Sequence, residues 1–307
     1  MRIALINSGL GLLAAAAALH RRHPDADLVL ATDPDGMPWG PRRPDDIVGR
    51  AMVCARAAAA YQPDVLVMAC NTGSVHALEP MRAEFEPDIP VIGTVPAIKP
   101  AAAAHRLVAI WATVATTASA YQRRLIAEFG GSALVTPVAC PGLADAVDAG
   151  DEAGTHAAVT AAAAQTPAGC QAIVLGCTEY ELAADLIRAT VPGAVTFGSA
   201  DAVAAQALRR VPHRAQRRPA FSEPDGAQLH NTHPDGAHLD SGLSDGSRLN
   251  NVRLDSARLG TVRVLLSGRP APLPPAALRY PEGRLLAPLV RLEGADRQRA
   301  ERPAVTG

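Results

Sequence analysis

The chain has 307 residues, 48% of them hydrophobic, which is long enough for about two domains with buried cores. Its 29 basic and 30 acidic residues nearly balance, so no overall charge favours nucleic acid or an anionic membrane, and a small metabolite is the better expectation. The five cysteines form no Cys-x-x-Cys pair, which argues against a disulfide framework and a metal site. The sequence shows no secretion signal and no apolar run long enough to span a membrane, so we predict a cytoplasmic protein.

Short apolar runs alternate with alanine-rich stretches along the first two thirds of the chain. The apolar runs predict strands at residues 3–6, 28–30, 65–69, 91–92, 107–110, 133–138, 173–175 and 195–197. The stretches between them predict helices at residues 45–61, 117–129, 151–165 and 181–190. This alternation predicts an α/β fold of two similar domains, each with a mainly parallel sheet, and an active site in the cleft between them.

The proline-punctuated segment 93–100 is the predicted crossing between the two domains. The first domain comprises residues 1–95 and is completed by residues from about 195 to 211 and from 262 to 292, where a strand returns near residue 265. The second domain comprises residues 96–194. The tail at 293–307 is predicted to be disordered.

Residues 212–261 differ in composition from the rest of the chain. They are polar, yet their small and apolar residues recur every five positions, a pattern similar to that of pentapeptide-repeat proteins. Eight pentads would give few coils, and several positions break the pattern, so a flexible polar insertion is the favoured interpretation and a short repeat coil the alternative.

Two cysteines occupy matched positions in the two predicted domains. Cys70 and Cys177 each follow a short buried strand and precede a side chain that commonly caps a helix. Ligands of open α/β sheets bind at the carboxyl ends of the strands, and a helix N-terminus lowers the pKa of a thiol. The sequence therefore predicts one site that contains both thiols.

Residues 69–72 (Ala-Cys-Asn-Thr) and 175–180 (Leu-Gly-Cys-Thr-Glu-Tyr) resemble the two catalytic-cysteine motifs of the cofactor-independent aspartate/glutamate racemases, glutamate racemase most of all. Weaker matches are residues 7–9, where the family has Asp-Ser-Gly, and residues 38–40, where it has Pro-Tyr-Gly. Segments 91–93, 112–121 and 139–141 also fit. The resemblance covers residues 1 to about 211 and the returning strand.

The resemblance implies a racemase that needs no cofactor, and the sequence has no Gly-x-Gly-x-x-Gly fingerprint or phosphate loop. Inversion of an α-carbon requires one group to remove a proton from one face and another to deliver a proton to the opposite face. Cys70 and Cys177 would be these two groups. Hydrogen bonds to the carboxylate and amine of the substrate would come from helix N-termini and from the side chains of Asn71, Thr72, Thr113, Thr116 and Thr178. The resemblance adds Ser8, Pro38, Trp39 and Gly40 to the candidate substrate-binding residues.

Two residues depart from the glutamate racemase pattern. Asn7 stands where the family has an aspartate that assists one cysteine, and Glu179 stands where a histidine is expected. A glutamate at that position resembles the aspartate and hydantoin racemase branches. We predict that Asn7 and Glu179 complete the catalytic set, Asn7 by orienting a thiolate and Glu179 as an acid/base partner of Cys177.

The sequence leaves several interpretations open. Glutamate is the leading substrate, which would imply supply of D-glutamate for peptidoglycan, and aspartate or another small amino acid is the alternative. A different class of function is a catalytically weakened racemase fold that serves as a binding or regulatory protein. The expected partner is a small amino-acid substrate, with no nucleic acid and no membrane, and a homodimer is possible.

Overall fold

The structure is a computed structural model that describes residues 1–212 and 259–292. The prediction of a pentad-patterned insertion at 212–261 lies outside the described residues except at its two ends. The predicted tail at 293–307 lies outside them altogether.

The strands form two mainly parallel sheets, which confirms the predicted α/β class. Their bounds are β1 (Arg2–Ile6), β2 (Asp27–Thr32), β3 (Val65–Met68), β4 (Val91–Ile92), β5 (Leu107–Ala112), β6 (Leu134–Ala139), β7 (Ala172–Leu175), β8 (Val195–Phe197), β9 (Val262–Leu266) and β10 (Arg269–Pro270). The first sheet has the order β10-β9-β2-β1-β3-β4 and the second the order β6-β5-β7-β8. β10 pairs with β9 in the antiparallel direction, and the other neighbours are parallel.

Helices follow most strands, as the alanine-rich stretches predict. Their bounds are α1 (Leu12–Arg22), α2 (Pro44–Ala59), α3 (Asn71–His76), α4 (Leu78–Phe85), α5 (Ile98–Ala104), α6 (Val114–Ala118), α7 (Ala120–Phe129), α8 (Leu143–Ala149), α9 (Glu152–Gln165), α10 (Ala184–Thr190), α11 (Ala200–Arg210) and α12 (Pro281–Leu286), with 3-10 helices at Thr178–Ala183, Pro275–Arg279 and Ala287–Leu289. Within the described ranges, none of these helices combines the length and the apolar character that a membrane span requires.

The parallel register of the first sheet brings the ends of β1 and β3 together. Ile6 pairs with Met68, and the Ala69 amide donates to the Ile6 carbonyl at 2.8 Å. All four residues of β3 are buried, as expected for a central parallel strand covered on both faces. The residues that follow β1 and β3 therefore lie side by side at one edge of the sheet.

The position of β8 corrects the sequence-based division of the chain. That division assigned residues from about 195 to the first domain, whereas Thr196 pairs with Ile173 of β7 in the second sheet. A strand that follows a crossover helix commonly pairs with its predecessor in parallel, as β8 does with β7. The chain returns to the first sheet only afterwards, with α11, which contacts α1 and β3.

The strand predicted near residue 265 is confirmed. β9 pairs with β2 in parallel, with Val262 opposite Leu28, and it thereby extends the first sheet. The Asp27 carboxylate accepts hydrogen bonds from both the backbone amide and the hydroxyl of Thr261 at 2.9 Å. Residues far apart in sequence thus complete one sheet.

One buried core joins the two sheets. It contains Leu5 of β1 and Trp111 of β5, with Leu13 and Leu19 of α1 among them. Residues 12–19 of α1 are all buried, so this part of the helix is surrounded by protein. Residues 7–11 form the loop between β1 and α1, and the burial of α1 therefore fixes the end of this loop.

Candidate active site

The two motif cysteines lie after strands of different sheets. Cys70 has an extended backbone and is the N-cap of α3, whereas Cys177 has an extended backbone and precedes the 3-10 helix at Thr178–Ala183. Both side chains line the same cleft. The structure therefore brings the two thiols to one site, although they are far apart in sequence.

Most of the candidate residues line this cleft together. They are Ser8, Pro38, Trp39, Gly40, Cys70, Asn71, Thr72, Thr113, Thr116, Cys177 and Glu179. Asn7 and Thr178 do not line it, and both lie behind its wall as buried side chains. The cleft also includes residues that the sequence interpretation did not assign to substrate or catalysis, among them Val114, Cys140, Asp145 and Asp148.

The Cys70 thiol is buried beside hydrogen-bond donors. The Gly73 amide donates to its Sγ at 3.4 Å, and the Ser8 amide and hydroxyl also act to lower its pKa. Burial acts more strongly, and together with the negative charge of Glu179 it raises the pKa of Cys70 to about 12. Cys70 is therefore a thiol at neutral pH, beside groups that would stabilise a thiolate once it forms.

The Cys177 thiol is paired with a carboxylate. Its Sγ donates to Glu179 Oε2 at 2.8 Å, and Thr178 Oγ1 donates to the same oxygen at 3.3 Å. Burial raises the pKa of Cys177 well above its ordinary value, and the negative charge of Glu179 raises it further. Glu179 Oε1 is buried and has no hydrogen-bond partner among the described residues. This carboxylate is thus placed to accept the thiol proton.

Asn7 links the two halves of the site from behind the cleft. Its amide donates to the Ala69 carbonyl at 2.6 Å and to Thr178 Oγ1 at 3.0 Å, next to Cys70 and Cys177 respectively. Its oxygen accepts from the Ser8 hydroxyl at 3.2 Å. The side chain is fully buried and does not line the cleft, so Asn7 can act on the site only through these hydrogen bonds, as a positioning residue.

Restoring the family's aspartate with Asn7→Asp is expected to destabilise this chain. A carboxylate cannot donate to the Ala69 carbonyl, and burial raises the pKa of the introduced carboxyl above its unfolded value of about 3.9. Stability is then lost as pH rises from that unfolded value towards the raised folded one. We expect thermal unfolding to show a loss of about 1–3 kcal/mol that is larger at about pH 8 than at about pH 5.

Asn7→Ala provides the control, because it removes the same hydrogen bonds without adding a titratable group. Its loss of stability should be the same at both pH values. A wild-type melting temperature for Asn7→Asp at the higher pH would contradict the assignment of Asn7 as a buried donor.

Hydroxyl groups line the wall contributed by the second sheet. Thr113 is the N-cap of α6, where its Oγ1 accepts from the Thr116 amide at 3.3 Å and donates to Thr116 Oγ1 at 3.0 Å. Such a cap leaves neutral hydroxyl and amide groups at the cleft, which can bind a carboxylate.

Asn71 connects the two walls. Its Nδ2 donates to the carbonyl of Gly176 in the second wall at 2.6 Å, while its Oδ1 is buried with no partner among the described residues. Asn71 and Thr72 both line the cleft at the start of α3. Asn71 therefore holds the two motifs together while it faces the space that a substrate would occupy.

Asp148 was missed by the sequence interpretation. It lies on α8 and lines the cleft, and its Oδ1 accepts from the Leu10 amide at 2.6 Å. A Cβ at Gly9 would overlap this carboxyl group, so the close approach requires glycine there. Burial, followed by the charge of Glu179, raises the pKa of Asp148 well above its ordinary value. No sequence signal identified it, because Asp145 and Asp148 on a short helix resemble a solvated face.

Among the described residues, those that line the cleft include acidic side chains and no Lys, Arg or His. Asp145, Asp148 and Glu179 make the site acidic, so a ligand's ammonium group would be attracted to it. Among the described residues, no cluster of three or more His, Cys, Asp or Glu side chains has a geometry that would hold a metal ion. The arrangement suits acid/base chemistry on a small molecule that carries an ammonium group.

Comparison with known proteins agrees with this chemistry. A family model described as Asp/Glu/Hydantoin racemase matches residues 5–207. Glutamate racemase of Pseudomonas putida (strain W619) is 33% identical over 214 residues, which are 68% of this chain and 80% of that protein. The crystal structure of Escherichia coli glutamate racemase with L-glutamate and the activator UDP-MurNAc-Ala has a TM-score of 0.65 at 27% identity, covering 69% of this chain and 82% of that one.

The structure of glutamate racemase from Aquifex pyrophilus has a TM-score of 0.55 at 30% identity, covering 69% of this chain and 84% of that one. The fold and the paired thiols thus define an enzyme of the Asp/Glu/hydantoin racemase family, to which the chain belongs. It is an amino-acid racemase, an isomerase. Family membership favours the enzyme over the interpretation as a non-catalytic binding protein.

Proposed function

We propose that this racemase interconverts L-glutamate and D-glutamate by a two-thiol mechanism that needs no added cofactor. The observation that carries the proposal is that Cys70 and Cys177, from different sheets, line one cleft. Groups in opposite walls can reach opposite faces of an α-carbon, as inversion requires. The similarity to glutamate racemases, at 33% identity over 214 residues, favours this substrate.

In one direction Cys177 is the base. Its proton passes to Glu179, to which it is already hydrogen-bonded, and the thiolate then removes the α-proton of the bound enantiomer. The Cys70 thiol delivers its own proton to the other face and is left as a thiolate. The Gly73 and Ser8 amides stabilise this thiolate by hydrogen bonds.

In the other direction the two thiols exchange roles. The Cys70 thiolate removes the α-proton, the Cys177 thiol delivers one, and Glu179 returns its proton to Cys177. The two forms of the enzyme that start the two directions carry the same number of protons. Cys177 carries a proton in both forms, and the second proton lies on Cys70 in one form and on Glu179 in the other. Glu179 thus serves as the proton store for both directions.

The cleft's neutral donors would hold the substrate carboxylates. Asn71, Thr72, Thr113 and Thr116 supply hydroxyl and amide groups, and the acidic residues attract the α-ammonium group. Together these contacts fix the α-carbon between the thiols. Stabilisation of the developing negative charge by these oriented donors replaces the electron sink that a cofactor would provide.

Aspartate or another small amino acid is the second candidate substrate. The departure that favours it is Glu179, because a glutamate at this position resembles the aspartate and hydantoin racemase branches of the family. If glutamate is the substrate, the product fits supply of D-glutamate for peptidoglycan. A cytoplasmic location and a homodimer remain predictions from the sequence.

A substrate screen tests the proposal. The purified protein is incubated with L-glutamate, L-aspartate and other small L-amino acids, and the D-enantiomers are separated by chiral chromatography. We expect D-glutamate to form fastest, at a rate that addition of pyridoxal phosphate or a divalent metal does not increase. Faster formation of D-aspartate would transfer the assignment to the second candidate, and dependence on an added cofactor would contradict the mechanism.

A further inference from the structure

The loop between β2 and α2 forms one wall of the cleft. Pro38, Trp39, Gly40 and Pro41 all line it. The Trp39 side chain is almost wholly buried, so its position depends on the protein around it. Its indole Nε1 donates to Asp33 Oδ2 at 2.9 Å.

Asp33 is buried and does not line the cleft, yet three side chains from different parts of the fold converge on it. Besides Trp39, Arg50 of α2 donates to Oδ2 at 3.3 Å, and the Ser267 hydroxyl donates to Oδ1 at 3.1 Å. A carboxylate has acceptor sites for all three donors at once. The loop also folds closely over it, because a Cβ at Gly36 would overlap Asp33 Oδ2.

Ser267 lies directly after β9, in the part of the chain that returns beyond residues 213–258. Its amide also donates to the Thr32 carbonyl at 2.7 Å, which fixes it beside Asp33. The cleft wall is therefore attached through one carboxylate both to α2 and to the returning segment.

We propose that Asp33 is a positioning residue for substrate binding, which acts through the Trp39 indole to hold residues 38–41 against the substrate. The inference deepens the proposed racemase function and rests on it. Loss of the carboxylate removes the acceptor for the indole, so the wall loosens while the two thiols keep their own contacts. The effect should therefore fall on KM more than on kcat.

Steady-state kinetics in both directions provide the first test. Asp33→Ala should raise KM for the preferred amino acid about tenfold and change kcat less than about threefold. Asp33→Asn should restore most of the affinity, because its amide oxygen can accept from Trp39 and Arg50 while its NH2 group donates to the reorientable Ser267 hydroxyl.

Asp27→Ala is the matched control. Asp27 is also buried, lies at the opposite end of β2 and also binds the returning segment, through Thr261. Its replacement should lower the melting temperature without raising KM. An equal rise in KM for Asp27→Ala and Asp33→Ala would reduce Asp33 to a purely structural role and overturn the proposal.

Tryptophan fluorescence provides a second test that does not need activity. The chain has two tryptophans, and the emission of Trp39 is obtained by subtracting the spectrum of Trp39→Phe. Asp33→Ala should shift this emission to the red and increase its quenching by acrylamide, whereas Asp33→Asn and Asp27→Ala should not. An unchanged Trp39 signal in Asp33→Ala would overturn the proposal, even if the wild-type protein racemised none of the amino acids and the proposed function itself had failed.

Discussion

Replacing either Cys70 or Cys177 by serine is expected to lower kcat for racemisation by about a thousandfold or more. A serine hydroxyl is a far weaker acid than a thiol. It therefore neither ionises to the base that removes the α-proton nor delivers a proton to the opposite face of the α-carbon. The two substitutions should be similarly damaging, because every turnover in either direction uses both groups. Initial rates from each pure enantiomer measure the effect, and melting temperatures establish that the variants are folded.

Cys140→Ser is the matched control, because Cys140 is the third described thiol that lines the same cleft, and it is buried as Cys70 is. Its Sγ contacts the Val138 carbonyl at 3.7 Å, and the mechanism gives it no proton to carry. We expect its rate to stay within about threefold of wild type. If Cys70→Ser or Cys177→Ser retained a similar rate, the two-thiol mechanism would be wrong.

Glu179→Gln is expected to have the second largest effect, a loss of about a hundredfold in kcat/KM near neutral pH. The amide preserves the shape of the side chain but cannot accept the Cys177 proton as a store. The loss must be the same from both enantiomers, because they have equal free energy and the equilibrium constant is unity. Equal losses therefore show only that the assay is sound. The pH profile of kcat/KM is what tests whether Glu179 stores the proton.

In the wild-type enzyme the proton moves from Cys177 to Glu179 inside the site, so kcat/KM should vary little around neutral pH. In Glu179→Gln the thiolate forms only when Cys177 loses its proton to solvent. Removal of the charge lowers the pKa of Cys177 part of the way, but burial, the largest cause of its elevation, remains. Since the base form of a group grows as pH rises towards its pKa, kcat/KM should increase about tenfold per pH unit between about pH 7 and about pH 9.

Glu181→Gln is the control for this profile. Glu181 is a neighbouring, half-buried carboxyl in the same 3-10 helix, but it accepts hydrogen bonds from Ser199 and Ala200 at the start of α11. Its replacement should affect stability and leave the pH profile flat. A Glu179→Gln profile parallel to that of wild type would show that Glu179 does not store the proton.

Local pattern was enough to predict the elements that carry the thiols. β3 and β7 are fully buried parallel strands, which appear in sequence as continuous apolar runs, and each ends two residues before its cysteine. β3 and β7 belong to different sheets, so the prediction of one shared site depended on the two matched motifs and on the rule that ligands bind at the carboxyl ends of parallel strands. The assignment of Pro38, Trp39 and Gly40 depended instead on family resemblance, since nothing in that loop's pattern indicates a site.

Contacts between distant residues were beyond local pattern. Asp148 reaches the cleft only because Gly9 lacks a side chain and the Leu10 amide binds the carboxyl. The burial of Asn7 depends on Ala69 and Thr178, which lie far away in the sequence. For β8, the short apolar run predicted a strand but not the sheet that it joins, because the choice of a partner strand is made by tertiary packing.

In the two-thiol mechanism two different groups act on opposite faces of the α-carbon. Isotope incorporation during the first few per cent of conversion tests this most directly. One pure enantiomer is incubated with the enzyme in deuterated water, and the α-deuterium content of the product and of the recovered substrate is measured by mass spectrometry after chiral separation. The delivering thiol carries a solvent deuteron, so we predict deuterium in nearly every product molecule and almost none in the recovered substrate. Equal deuterium in both enantiomers at early conversion would mean that a single group exchanges the proton on both faces, and would contradict the mechanism.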